Sequence, residues 1–280
     1  MLSVTRRRYQ AISISTARSQ PRMGADHDFC RLCEEQKELC NSHALPDSAF
    51  RLALKECSGK AIAITDDEAT PVQYSSDTWG ADLLCSICED KLNKRYDAYG
   101  VGVLKGHIGT VRRNDFGVTF SGIDRQRLRM FCLSVLWRAS VSHHDCYRNI
   151  NLPSSLEGEL HRALQQGTNV RGSMYAVAIY RLRDSTPDGF SYENLRSLVT
   201  APFARNFKEG FISVCFVFFG FLVEIFLPRL PLRFMARPGV LSGSSPVFMV
   251  PFQEILEVPE LLKLMFRGLQ KHENGLSRVG

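Results

Sequence analysis

The stretch CRLCEEQKELCNSHALPDSAF, residues 30–50, places a Cys-x-x-Cys pair, a third cysteine, a histidine and a proline in one turn-rich segment. A second pair, Cys85-x-x-Cys88, follows later in the chain. A two-residue gap lets both sulfurs of a pair face the same ion, and two pairs supply the four thiolates of a closed tetrahedral zinc site. The sequence therefore predicts a structural zinc ion held by Cys30, Cys33, Cys85 and Cys88.

A second set of ligands overlaps the first one. Cys40-x-x-His43 also has the spacing of metal ligands, so Cys30, Cys33, Cys40 and His43 form an alternative site of three cysteines and one histidine. That site would use His43 structurally and leave the second pair without a role. The other cysteines are expected to be ordinary thiols, either buried or partly exposed: Cys57, Cys132, Cys146 and Cys215.

The composition is that of a globular protein in a reducing compartment. The chain has 280 residues, 44% hydrophobic and 23% charged, so it can bury one large core or two smaller ones. The formal net charge of +6 suits a polyanionic partner without requiring one. Nine cysteines without a secretory signal indicate free or metal-bound thiols, and we expect a cytoplasmic protein.

Composition divides the chain into three parts. Residues 1–24 are rich in arginine and serine and lack acids, a composition shared with transit peptides, and they predict a basic, disordered tail. Residues 25–105 contain six of the nine cysteines and many turn residues, which predicts a small zinc-binding module. Residues 106–280 predict a larger mixed α/β domain, so the fold class is α+β. The sequence contains neither a P-loop nor a Gly-rich dinucleotide fingerprint.

The larger domain begins with a predicted strand and a buried helix. Residues 112–123 have strand character, and residues 124–142 predict a helix that Asp124 caps. Apolar positions go nearly all the way round this helix, so we expect burial on every side. Trp137 should pack in the core, and Arg138 should pair with an acid, because its planar guanidinium suits a carboxylate.

Further elements follow towards the C-terminus. The segment Ser154-Ser155-Leu156-Glu157 has the spacing of a capping box, and its helix should stop at Gly167. Residues 173–183 alternate as a strand does, and Pro259 should start a final amphipathic helix.

The apolar run FISVCFVFFGFLVEIFL, residues 211–227, is the one candidate for a membrane span. It is short of the roughly 20 apolar residues that a span requires, and it contains Glu224. Its richness in Phe, Val and Ile, interrupted by Gly220, favours two buried strands joined by a tight turn. We therefore expect no association with a membrane.

The order of the motifs resembles that of the HNH, or ββα-metal, endonucleases that carry a treble-clef zinc site. The resemblance rests on the first cysteine pair, on SHALP at residues 42–46 and on LLCSICEDKLNKRYD at residues 83–97. The chain is most similar to a group of uncharacterised bacterial proteins with the pattern CxxC…SHxxP…LLCxxCE, often followed by a segment like SVLWRASVS, here residues 134–142. The nuclease resemblance covers about residues 25–100.

The resemblance implies a catalytic role for His43. In the nuclease family, the histidine at this position is the general base that activates water beside a divalent ion. A neutral imidazole with a pKa of about 6.5 can accept the proton of water at physiological pH, and the cation offsets the charge that builds up on the phosphate. His43 is thus the predicted base, with Mg²⁺ or Mn²⁺ as the predicted catalytic ion.

The sequence departs from the family pattern at the other catalytic positions. Ser42 stands where the family usually has a metal-binding aspartate, and the central asparagine has no clear match, with Asp77 and Asp82 as the nearest polar residues. Glu89 follows the second pair, where the family often has a metal-binding His or Asn. Because a carboxylate suits hard cations, Glu89 is the preferred metal-ligand candidate and Ser42 a weaker one. Alternatively, Glu89 only stabilises the start of its helix.

Three cations follow Glu89 at helical spacing. Lys91, Lys94 and Arg95 lie at i, i+3 and i+4, so they share one face of a helix. In the nuclease family the corresponding helix lies against DNA, which makes these residues predicted phosphate contacts whose binding would weaken with salt. A solvated charged face is the alternative.

Two functions fit these features best, and a third hypothesis makes residues 211–227 a membrane or partner surface with the zinc module as a sensor. The first is an HNH-like endonuclease that cuts or nicks DNA, with His43 as base, Glu89 as metal ligand and the C-terminal domain selecting the target, in association with a protein partner or in defence against foreign DNA. The second is a zinc-binding module that has lost catalysis and docks on nucleic acid or on a protein.

Overall fold

The computed structural model describes residues 29–56, 59, 61–65, 68–172, 174–207, 210–228, 230–242 and 245–279. The predicted tail at residues 1–24 lies outside these residues, as does Cys57.

The described chain has a mixed α+β fold, as predicted. Its strands are β1 Leu39–His43, β2 Ala61–Ala63, β3 Gln73–Ser75, β4 Gly80–Cys85, β5 Thr110–Asn114, β6 Gly117–Ser121, β7 Ala176–Arg183, β8 Thr200–Asn206, β9 Ile212–Phe218, β10 Phe221–Leu227 and β11 Val247–Glu254. Its helices are α1 Asp47–Glu56, α2 Ser86–Leu92, α3 Ala98–Leu104, α4 Arg125–Val141, α5 Ser154–Gln166, α6 Tyr192–Ser197, α7 Leu232–Met235 and α8 Pro259–Glu273. A π-helical turn, Asn93–Asp97, joins α2 to α3.

A small antiparallel pair organises the cysteine-rich region. Strand β1 pairs with β4 from Leu39 opposite Cys85 to His43 opposite Gly80. Helix α2 starts at Ser86, directly after β4, so the second cysteine pair lies where strand becomes helix. The insertion between the two strands carries α1 and the β2–β3 ribbon.

The larger element is a seven-stranded sheet with the order β5-β6-β11-β7-β10-β9-β8. Only β11 and β7 run parallel, and every other neighbouring pair is antiparallel. Strands β9 and β10 form the predicted hairpin, which turns at Phe219 and Gly220 with φ of 55° and 73°. Two consecutive positive φ values match the twist of a hairpin, and Gly220 adopts its value without steric cost. None of the described helices is long and apolar enough to cross a membrane.

Helix α4 lies in the core, as predicted. The Asp124 carboxylate accepts a hydrogen bond from the backbone N–H of Arg127 at 2.9 Å, which caps the first turn. Every residue from Leu128 to Ser140 is buried. Trp137 is buried on this helix, and Arg138 pairs with the acid Asp97. Both expectations for the LWR segment are therefore confirmed.

Two local predictions were wrong. Residues 112–123 form a hairpin rather than one strand, because the Asn114 side chain accepts hydrogen bonds from the N–H groups of Phe116 and Gly117 and closes a tight turn. The predicted capping box at Ser154 does not form, since the helix begins there and Pro153 is the N-cap. The helix does end before Gly167, which has a φ of 69°. Pro259 starts α8 as predicted.

One apolar core runs between the cysteine-rich region and the sheet. It contains Cys30 and Leu84 from the first region, Phe131 from α4 and Val177 and Phe216 from the sheet. The opposite face of the sheet is covered by α6 and α8, whose buried contacts include Leu195 and Leu261 with Leu182, Val217 and Leu222. Helix α4 thus lies against one face of the sheet, and the cysteine-rich region packs on that side.

Candidate metal centre and histidine cleft

The two cysteine pairs meet in one cluster. The sulfurs of Cys30, Cys33, Cys85 and Cys88 all lie within 4.8 Å of one another, and Cys33 Sγ is 3.9 Å from Cys85 Sγ. Four sulfurs at about 2.3 Å from a tetrahedral centre are about 3.8 Å apart, so the spacing is compatible with structural zinc. In the part of the chain that the structure describes, no other group of three or more His, Cys, Asp or Glu residues is clustered for a metal. Cys40 and His43 therefore do not form the alternative site.

Local backbone structure brings the four thiols together. A tight turn closes the first pair, where the Glu34 N–H donates to Cys30 O at 2.8 Å and Glu34 itself has a φ of 60°. Cys85 ends β4 and is the N-cap of α2, while Cys88 lies in the first helical turn. The Cys85 N–H donates to Cys30 Sγ at 3.3 Å, which ties the two pairs to each other.

The environment of the cluster favours a thiolate at Cys30. Burial acts to raise the pKa of Cys30, but hydrogen bonds from the backbone of Cys33, Cys85 and Leu32 outweigh it and bring the pKa to about 7. Burial raises the pKa of Cys88 strongly, and the neighbouring thiols act in the same direction. Four thiolates this close repel one another, and a bound cation removes the repulsion. The donor set thus suits a metal with a preference for sulfur.

His43 lies at the end of β1, half-buried beside an aromatic cluster. Its Nε2 is 2.9 Å from the hydroxyl of Thr78, and its ring tilts against Phe50 at a centroid distance of 6.2 Å. Burial lowers the pKa of His43, while the carboxylates of Asp47 and Glu89 act in the opposite direction. The imidazole is therefore neutral near pH 7 and can accept a proton.

His43 opens onto a cleft of about 540 Å³. The cleft lies between α1 on one side and the run from α2 to α3 on the other. Its charged and polar lining residues are His43, Asp47, Ser48, Arg51, Ser86, Glu89, Asp90, Asn93, Asp97 and Arg138. The structure thus brings the two predicted catalytic residues, His43 and Glu89, to the same cavity.

Ser42 holds Glu89 in place. The Ser42 hydroxyl donates to Glu89 Oε2 at 2.7 Å, and its oxygen accepts the N–H of Leu84 at 3.3 Å. Ser42 is 2% exposed, so this contact is shielded from water. The Ser42 side chain therefore connects both strands to the first turn of α2.

A buried ion pair forms another wall of the cleft, and sequence reasoning missed its acidic member. Arg138 binds both carboxylate oxygens of Asp97, at 2.6 and 2.8 Å. Burial would lower the pKa of Arg138, but the charge of Asp97 more than offsets it and the pKa is raised. Asp97 follows Glu89 by two helical turns, a spacing that could have suggested a shared face. Neither acid is an isolated carboxylate in the cleft.

The predicted DNA-contacting cations lie elsewhere. Lys91 Nζ donates to the carbonyl of Gln165, and Arg95 Nη2 donates to the carbonyl of Gly167, both at the C-terminal end of α5. Lys94 pairs with Asp90 at 2.7 Å on the surface. Unpaired carbonyls and the negative end of the dipole make a helix C-terminus a favourable place for cations. These contacts hold α2 and the π-helical turn that follows it against the end of α5.

The two candidates for the missing asparagine differ in position. Asp77 Oδ1 accepts the N–H of Trp79 at 2.8 Å, and its Oδ2 is 3.3 Å from Nε2 of His144. Asp82 is exposed on β4. Neither side chain lines the His43 cleft. Asp77 and Thr78 instead contact one histidine each, so this loop fixes the ring of His43 on one side and that of His144 on the other.

Comparison with protein-family models, with curated proteins and with solved structures finds no match for this chain.

Proposed function

We propose that the protein is an HNH-like, metal-dependent endonuclease in which a zinc ion on the four cysteines supports the catalytic cleft. One observation carries the proposal: His43 at the end of β1 and Glu89 in the first turn of α2 face the same cleft. The order strand, strand, helix beside a four-cysteine cluster is the arrangement that the resemblance implies. DNA is the proposed substrate, and selection of the target is the proposed role of the sheet domain, with or without a protein partner.

His43 would act as the general base. Its neutral imidazole takes a proton from water, while the Thr78 hydroxyl at Nε2 keeps the ring in one orientation. Nδ1 has no hydrogen-bond partner among the described residues, so it is the nitrogen free for the reacting water.

A divalent ion would offset the charge that builds up on the phosphate. Glu89 is the residue that would hold it, since the Asp97 carboxylate is already bound by Arg138. The described residues of the cleft do not form a three-ligand cluster. Mg²⁺ is commonly held by one or two carboxylates, with water and phosphate oxygens completing its shell, and the Glu89 side of the cleft fits that pattern.

A second function, docking without catalysis, has an observation in its favour. Ser42 in place of an aspartate removes one carboxylate, and its hydrogen bond occupies an oxygen of Glu89. The cysteine cluster and the cleft would then remain as a rigid surface for nucleic acid or for a protein. Absence of nicking by the wild-type protein, with its zinc retained, distinguishes this function from the first one.

The test is a supercoiled-plasmid nicking assay with Mg²⁺ and with Mn²⁺. We expect His43→Ala to lower the nicking rate by at least about 100-fold, since positioned general bases contribute about 10²–10⁴. His144→Ala is the matched control, because His144 contacts the same loop but lies outside the cleft, and it should change the rate by only a few fold. Zinc content is measured for each protein.

If the wild-type protein carries one zinc per chain and does not nick the plasmid, the docking function is favoured over the nuclease. Equal loss in the His43 and His144 variants would show that His43 is not the base.

A further inference from the structure

Four basic side chains gather near one end of the seven-stranded sheet, and no acidic partner pairs with them among the described residues. Lys105 follows α3, Arg113 lies on β5, Arg181 on β7 and Arg196 on α6. Arg181 and Arg196 both lie over the ring of Tyr192, at 4.5 and 5.5 Å from its centre. Lys105 Nζ is 4.8 Å from the centre of the Phe219 ring, and the carbonyl of Phe219 accepts a hydrogen bond from Arg181 at 2.8 Å. We call these four residues the basic cluster.

Arg181 is the unusual member of the basic cluster. It is 4% exposed, and its Nη2 is buried without a hydrogen-bond partner. The rings of Tyr192 and Phe221 each lie 4.5 Å from its guanidinium carbon. Burial lowers the pKa of Arg181; Tyr192 acts in the opposite direction, and the charges of Arg196 and Arg113 lower the pKa further. Arg138 is also buried, but it is paired with the carboxylate of Asp97. A buried cation without such a counter-charge is unfavourable until an anion approaches.

Two helices connect the basic cluster with the walls of the His43 cleft. Val101 lines the cleft, and Lys105 lies four residues later, which places both on the same side of the helical run that ends at Lys105. Helix α6, which carries Arg196, packs against α1, the helix that forms the other side of the cleft. A polyanion that occupies the cleft could therefore extend over the cluster.

Exposed aromatic rings accompany the cations. Tyr192 is 47% exposed and lies over Arg181, and Phe116, next to the β5–β6 turn, is 78% exposed. Cations that follow a backbone, together with rings on which bases stack, are the features of proteins that bind single-stranded nucleic acid. A protein that binds a duplex does not need exposed rings, because the bases of the duplex are already stacked on each other.

We propose that the basic cluster, with the rings of Tyr192 and Phe116, binds a single-stranded segment of nucleic acid that leads into the His43 cleft. The substrate class rests on the proposed function, whereas the binding itself does not require catalysis.

The experiment is fluorescence anisotropy with labelled oligo(dT) of about 20 nucleotides, long enough to cover typical single-strand sites. The protein is the full chain with zinc bound and with His43→Ala, so that cleavage does not interfere. Lys105→Ala/Arg196→Ala removes two partly exposed members of the cluster and leaves buried Arg181 intact. Arg148→Ala/Lys263→Ala is the control, because it removes the same charge from exposed positions outside the cluster.

We expect the Lys105/Arg196 double variant to raise Kd at least about tenfold at low salt, and to reduce the slope of log Kd against log salt by about 1.4, the value for two lost phosphate contacts on a single strand. The control should bind nearly as the parent does. Tyr192→Ala should raise Kd about tenfold, and Tyr192→Phe should restore binding, since base stacking needs only the ring.

Several results would overturn the proposal. If the two double variants have equal Kd values and equal salt slopes, the basic cluster does not take part in binding. Tighter binding of a duplex of the same length would reject the single strand, and equal binding of a polyglutamate peptide would identify an acidic protein as the partner. Nicking activity is measured separately, so a failed nuclease and a failed binding surface remain distinguishable.

Discussion

The cysteine-rich region and the seven-stranded sheet achieve their stability in different ways. In β9 and β10, 13 of 14 residues are buried, and each large apolar side chain contributes about 1.5–3 kcal/mol by leaving water. The region before residue 105 has short strands and helices, and three of its buried core residues are thiols of the metal cluster. The difference teaches that burial accounts for the sheet, whereas the cysteine-rich region also carries four sulfurs whose spacing is compatible with a structural metal ion.

Metal removal should have the largest effect. Structural zinc sites contribute on the order of 10 kcal/mol to folding. We expect a chelator, or Cys88→Ser, to abolish amide protection in β1, β4 and α2 while β7, β9 and β10 stay protected. Hydrogen exchange followed by mass spectrometry, with zinc stoichiometry, measures both effects. Cys146→Ser is the control, since Cys146 lies outside the cluster.

Loss of protection in the sheet at the same chelator concentration would break the comparison, because the two regions would then unfold as one unit. One zinc per chain in the Cys88 variant would exclude this cysteine as a ligand.

The Asp97–Arg138 pair tests how tightly the two regions are joined, since Asp97 precedes α3 and Arg138 lies on α4. Asp97→Asn leaves a buried cation without its counter-charge, and we expect a loss of about 3–5 kcal/mol in urea unfolding. Asp90→Asn, which affects the exposed pair with Lys94, should change stability little.

The double variant Asp97→Leu/Arg138→Met removes both charges and should recover most of the loss, because replacing a buried pair by apolar groups is often neutral. A double variant as unstable as Asp97→Asn would mean that packing, and not the uncompensated charge, causes the effect.

The smallest effect is expected at the start of α4. Asp124→Ala removes the capping hydrogen bond to Arg127 and should destabilise the protein by about 1 kcal/mol. Ser154→Ala is the informative control, because Ser154 has a capping sequence but does not cap its helix. The free energy of unfolding is measured by urea unfolding. If both variants lose the same amount, the Asp124 cap does not stabilise its helix more than Ser154 does.

Strong local patterns explain the successful predictions. The apolar run around Gly220 is rich in Phe, Val and Ile, which favours paired strands, and the Asp124 cap and Pro259 each fix a helix start through local geometry. The Ser154 prediction failed because the preceding proline takes the cap position. The predicted DNA contacts of Lys91, Lys94 and Arg95 remain untested, although two of these side chains bind carbonyls of α5.

The sequence by itself determined the two cysteine pairs, the buried hairpin and the apolar helix α4, because spacing and periodicity are local properties, whereas His43 was singled out by the resemblance of its motif. Only the tertiary structure decided that Glu89 is held by Ser42, that Arg138 finds Asp97, and that Arg181 lies near Lys105, Arg113 and Arg196 without an acidic partner in the described chain. Charges interact through space and are strengthened by burial, so their partners depend on how distant segments pack, which no local pattern specifies.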